Sequence, residues 1–158
     1  MTPEIKITDK PTITLINDDC WIITKDGDRD ALSLFSRHYT YRKGRKIKQF
    51  VGPGEKLVLI TPKSDALFVW RKFIDDSGQQ GVNCAVFRNE SKTQSSKLIK
   101  EAVGIARERW VNERFYTYVN SASIRSKNPG CCFLKAGWRR CGTTKSHNLL
   151  ILELPVVA

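Results

Sequence analysis

An imidazole and a phenol stand side by side at His38-Tyr39, and a run of cations follows them: Arg42, Lys43, Arg45, Lys46 and Lys48. These two side chains can accept, donate or orient a proton. Aromatics interleaved with cations suit a phosphate backbone and an unstacked base. The competing reading is a solvated basic loop beside a structural histidine. A second group of polar residues falls where strands end: Arg88-Asn89, then Tyr118 and Asn120. Ser95 and Ser96 open the helix between those strands, where free N–H groups and the positive end of the dipole accept anions; one of them is expected as its N-cap. Arg125 and Lys127 precede the last short helix and are further candidates for gripping an anion. His38, Tyr39 and an acid supplied by the fold form a conceivable metal set, but no ligand spacing in the sequence specifies one.

These residues need elements to position them. Ile13 to Ile16 and Trp21 to Thr24 read as short strands. Asp28 to His38 reads as a helix, with Asp28 or Asp30 near its start. Tyr39 to Gly54 has no regular period and is long enough to be a functional loop. Leu57 to Thr61 and Leu67 to Phe73 read as a hairpin-like pair around Pro62-Lys63-Ser64-Asp65. Val82 to Arg88 is a strand, and Ser95 to Trp110 a helix with Leu98, Ile99, Ala102, Val103, Ile105 and Ala106 on one face. Phe115 to Val119 is the next strand, and this strand–helix–strand spacing predicts a parallel pair. A short helix from Pro129-Gly130 stops at Gly137, a strand follows at once, and His147 to Leu154 is the last strand, with His147 read as structural. The expected class is α+β: one domain over residues 1–158, with a mixed, mostly antiparallel sheet and flanking helices.

The chain has 158 residues and a net charge of +11, from 27 basic and 16 acidic side chains. That excess favours a polyanionic partner, and DNA is the expected one. No apolar run is long enough for a membrane span, and the N-terminus lacks the apolar block of a signal peptide, so a cytoplasmic protein is expected. The 5 cysteines include no Cys-x-x-Cys pair, which argues against a structural zinc site. Cys84 alternates with apolar neighbours as a core residue. Cys131 and Cys132 open a helix, where a thiolate is stabilised, although packing is the favoured role.

The order of elements from Val82 onward resembles the C-terminal half of the GNAT acyltransferase superfamily. Its usual ending of aromatic-x-Lys-x-Gly-aromatic is matched by Phe133-Leu134-Lys135-Ala136-Gly137-Trp138. The resemblance implies that this half holds an acyl donor, with the pyrophosphate of acetyl-CoA at the helix that Ser95 opens. The glycines of that loop's signature are missing, since none occurs between Gly81 and Gly104. Phe133 occupies the position where the superfamily often has a tyrosine general acid. No carboxylate lies on the central strand, and Glu90 is the nearest. The chain also resembles Mom-type DNA-modification proteins of phages, divergent GNAT-like enzymes that attach an acyl-derived group to the exocyclic amine of adenine. The matching positions are His38-Tyr39, with Thr40 for serine, Ser95 or Ser96, and Gly137-Trp138; Asn120 stands where that family tends to have aspartate.

The resulting expectation is a GNAT-like transferase modifying a DNA base amine. His38, Tyr39, Ser95 and Asn120 would be catalytic. Arg88, Asn89, Ser96 and Tyr118 would bind the donor, and Arg42, Lys43, Arg45, Lys46, Lys48, Arg125 and Lys127 the nucleic acid. The alternatives are an acetyltransferase acting on a protein or small amine, and a non-catalytic GNAT fold that binds nucleic acid or a host protein.

Overall fold

A computed structural model describes residues 15–16, 20–38, 41, 49–74, 78–122 and 130–156. Among these residues eight strands form one sheet in the order β1-β2-β3-β4-β5-β6-β8-β7. They are β1 (Leu15–Ile16), β2 (Trp21–Thr24), β3 (Glu55–Ile60), β4 (Ala66–Lys72), β5 (Val82–Asn89), β6 (Phe115–Val119), β7 (Arg139–Thr143) and β8 (Leu150–Leu154). Neighbours are antiparallel except β5 and β6, the parallel pair joined through α2 (Ser95–Arg109). The α+β class and the mostly antiparallel sheet are as the sequence predicts.

Alternation along β3 and β4 sends side chains into two cores. Leu57, Leu59, Phe68 and Trp70 pack with Leu98, Ile99, Ala102 and Ala106 of α2 and with Phe133 of α3 (Cys131–Lys135). Val58, Ile60, Leu67 and Val69 face the other way, against Ala31, Leu34 and Phe35 of α1 (Arg29–Phe35). The apolar stripe of α2 thus lies on the sheet, as its 3.6-residue period requires. Two indoles from the sheet fix it there. Trp21 Nε1 donates to the Leu98 carbonyl at 2.9 Å, and Trp70 Nε1 donates to that of Ala102, one turn on, at 3.1 Å.

Gly81 lets β5 start against β6. Its φ is +118°, and a Cβ there would lie 2.2 Å from the Arg114 carbonyl oxygen. That same oxygen accepts the Val82 N–H at 2.8 Å. No other residue type fits this approach.

Some boundaries differ from the sequence reading. Helix α1 is capped by Asp28, whose side chain accepts from the Ala31 N–H, but it ends at Phe35 rather than His38. The last strand begins at Leu150, so His147 is an exposed turn residue and not a structural one in a strand. There Thr144 holds the turn, accepting the Leu149 N–H on its hydroxyl. The N-cap of α2 is Gln94, with no side-chain cap bond, so neither Ser95 nor Ser96 caps it. Among the described residues no helix is long and apolar enough to cross a membrane.

Candidate active site

The parallel ladder between β5 and β6 is short. It runs from Val82 opposite Phe115 to Cys84 opposite Thr117 and then stops, although both strands continue. At the same point the register slips on the other edge of β5. Val69 pairs with Val86 but Trp70 pairs with Cys84, so Ala85 is an extra residue, a β-bulge. A bulge bends its strand and increases the local twist. It also shifts the alternation. Val82, Cys84 and Phe87 pack on the α2 side, while Ala85 and Val86 both pack on the α1 side. Among the described residues, the β5 edge facing β6 has no strand partner beyond Cys84. Thr117 closes the base of this opening by donating its hydroxyl to the Cys84 carbonyl at 2.9 Å.

At the end of β5 the chain folds onto itself. Asn89 Nδ2 donates to the Thr93 carbonyl at 2.8 Å and to the Ser95 hydroxyl at 2.9 Å. Its Oδ1 accepts from both the N–H and the hydroxyl of Ser91, whose oxygen accepts from the Thr93 N–H. One half-buried amide thus does locally what glycines and a bound anion do in a phosphate loop. Asn89 is therefore a loop organiser, and Ser95 is its acceptor rather than a free hydroxyl. Ser96 is buried.

His38 sits just past the end of α1, stacked on Phe35 with ring centroids 6.5 Å apart. Burial, and then the nearby Arg88 charge, lower its pKa from 6.5 to about 4. The imidazole is neutral at pH 7, and so low a pKa makes it a weak general base. Arg88 is turned to this side of the sheet. It pairs with Glu90 at 3.0 Å, and Glu90 also takes a two-pronged bond from Arg37 at 2.7 and 3.0 Å. The hydrogen bond from Arg37, followed by that from Arg88, holds the Glu90 carboxyl below its usual range, which makes it a poor proton acceptor at neutral pH. Arg88 is thus part of an ion-pair cluster on the α1 side, not of a donor site shared with Asn89.

The titration of His38 gives a test. Because its folded pKa is depressed, its contribution to stability is complete above pH 6.5. The contribution is lost as the pH falls toward 4, where the folded protein also takes the proton. The full loss is on the order of 3 kcal/mol. Glu90 and Glu153 have lowered pKa values and remove stability mainly below about pH 4.5, so among the described residues with a shifted pKa His38 dominates the window from pH 4.5 to 6.5. Urea unfolding should show this slope in the wild type and lose it in His38→Gln. An identical slope in the variant would refute the assignment.

The described residues that flank positions 42–48 gather on the Phe35 ring. Tyr41 meets the Phe35 ring edge-on at 5.7 Å, and Phe50 stacks on the same ring at 4.8 Å. Asp26, itself buried, accepts the N–H groups of Phe50 and Val51, the first at 2.7 Å. Tyr39, Arg42, Lys43, Arg45, Lys46 and Lys48 lie outside the described residues, as do Arg125 and Lys127.

Of the other expected residues, Tyr118 is half-buried on the β6 face opposite Phe115 and Val119, its ring 5.5 Å from that of Tyr116. Asn120 closes a local turn, its Oδ1 accepting the Ala122 N–H at 3.1 Å. Its acceptor is used by the backbone, which argues against a catalytic role. Phe133 is a core residue, edge-on to Trp138 at 4.9 Å and to Phe87 at 5.9 Å. Burial raises the pKa of Cys132, so its thiol stays protonated despite the helix start. Burial also raises that of Cys84, as a core thiol requires. Among the described residues no group of three or more His, Cys, Asp or Glu side chains could hold a metal ion.

The structure therefore brings Asn89 to Ser95 on one side of the sheet and His38 to Arg88 on the other, and it adds Glu90, Arg37, Thr117 and the Ala85 bulge. Nothing in the spacing of Arg37 and Glu90 announces their pairing. No family model, curated protein or solved structure matches the chain.

Proposed function

We propose that the chain is a GNAT-like transferase that places an acyl-derived group on a base amine of DNA. The observation that carries this is the opening of the parallel pair, where the β5 edge loses its partner beyond Cys84. Backbone N–H and C=O groups without a strand partner need water or a ligand. An extended acyl carrier lying in the opening would supply those bonds. An N–H of that edge would then face the acyl oxygen as it gains negative charge.

The reaction is a simple exchange. The base nitrogen bonds to the acyl carbon, and the bond from that carbon to its carrier breaks. The nitrogen loses one proton, and the departing atom of the carrier gains one. His38, neutral and anchored on Phe35, accepts a hydrogen bond from the amine and orients it, and Tyr39 is the adjacent group able to pass the proton. The +11 charge and the cationic segment 42–48 draw in the DNA. The donor is left as an acyl carrier of unspecified kind, because the loop after β5 has no glycine and spends its polar groups on itself. That self-bonding favours a second reading, a GNAT-like fold that binds nucleic acid without catalysis.

Mass spectrometry of nucleosides from cells expressing the chain separates the two. A modified nucleoside, with adenosine the favoured base, is expected in their DNA and not in the control. His38→Gln and Tyr39→Phe should each lower its amount about 100-fold, with the melting temperature of Tyr39→Phe unchanged. An unmodified nucleoside pool beside intact DNA binding would establish the second reading instead.

A further inference from the structure

A cleft of about 540 Å³ lies at the end of the sheet, between the β3–β4 turn and the β5–α2 loop. The two walls are joined by a backbone bond, Glu90 N–H to the Asp65 carbonyl at 2.7 Å. Leu98 lies at its floor, and Lys63 and Lys92 stand on opposite walls.

The charge of the lining is one-sided once hydrogen bonds are assigned. Asp65 accepts the Thr61 hydroxyl at 2.6 Å, and Glu90 is held by Arg37 and Arg88. Its two carboxylates are therefore occupied. Lys63 and Lys92 are exposed and have no ion pair or hydrogen bond among the described residues. Two unengaged ammonium groups across a cleft suit an anion with more than one charge, spaced along an extended ligand. Glu90 also links this cleft to the His38 corner, since its partner Arg37 directly precedes His38 in the chain.

We infer that the cleft seats backbone phosphates of DNA, with Lys63 and Lys92 as the cations that meet them. This assignment rests on the DNA-modifying function proposed above and adds two residues that lie in no motif of the sequence. A strand laid along the cleft would pass Glu90, whose partner Arg37 adjoins His38.

The test uses the full chain and a fluorescent single-stranded 20-mer, with anisotropy measured across a salt series. Lys63→Gln with Lys92→Gln should lower the slope of log affinity against log salt by about 1.4, the value for two phosphate contacts to a single strand. A control pair with the same charge change, Lys100→Gln with Arg107→Gln on the outer face of α2, should leave the slope near that of the wild type. In the wild type, DNA should protect Lys63 and Lys92 from acylation by a water-soluble amine-reactive ester several-fold more than it protects Lys100. Equal loss of slope in the two double variants would overturn the assignment while leaving DNA binding in place. Protection by ADP and not by DNA would overturn it in favour of a free nucleotide. A wild-type chain that fails to bind the 20-mer would remove the DNA-modifying function itself, and the assignment with it.

Discussion

Gly81→Ala is expected to destabilise the protein by about 3–5 kcal/mol, combining backbone strain with overpacking against a main-chain atom. The new Cβ would meet the Arg114 carbonyl oxygen at 2.2 Å, and the residue would keep a φ of +118°. Relief requires β5 and β6 to separate at the point where their ladder begins, which weakens the Val82 N–H bond to the same oxygen. Urea unfolding measures the cost. Hydrogen exchange should show lost protection at Val82 before the strands at the other edge of the sheet. A change below about 1 kcal/mol would mean that the two chains do not approach so closely.

Trp70→Ala should cost about 3–5 kcal/mol, the range for removing a large buried aromatic. Trp70 is fully buried among Phe68, Phe115 and Trp138, with centroids at 4.6, 5.0 and 6.3 Å. It also holds α2 through its bond to the Ala102 carbonyl. Trp70→Phe keeps most of the volume but removes that N–H, so a loss of about 1–2 kcal/mol is expected. The comparison separates packing from hydrogen bonding. Equal losses in the two variants would assign the whole effect to the N–H.

Much of the fold was legible because periodicity decides it. The stripe from Leu98 to Ala106 reads as one apolar face of a helix, and its place between two strands favours a parallel pair. The bulge was not legible. Ala85, Val86 and Phe87 are all apolar, so the sequence does not reveal where the alternation slips, and the slip decides which side Arg88 faces. Arg88 and Asn89 are grouped in the sequence because both end the strand, but successive strand residues face opposite sides, so the sheet separates them. The role of Asn89 was hidden differently. Its amide, with Ser91, Thr93 and Ser95, makes a network that no single residue type predicts. Arg37 and Glu90 are distant in sequence, and only the docking of α1 brings them together. His38 was legible as a candidate, but its weak basicity follows from burial beside Arg88.

The sheet has a mechanical seam. The β3–β4 ladder runs from Glu55 to Ile60 and the β6–β8 ladder from Phe115 to Val119, but the rungs between β5 and β6 end after Cys84. The sheet should yield first along that line, with the antiparallel strands on each side moving as stiff plates. Any molecule that bridges the wedge replaces the missing rungs, and by mass action it raises resistance to unfolding even when no reaction follows. Thermal stability can thus serve as a ligand assay before the chemistry of the donor is known.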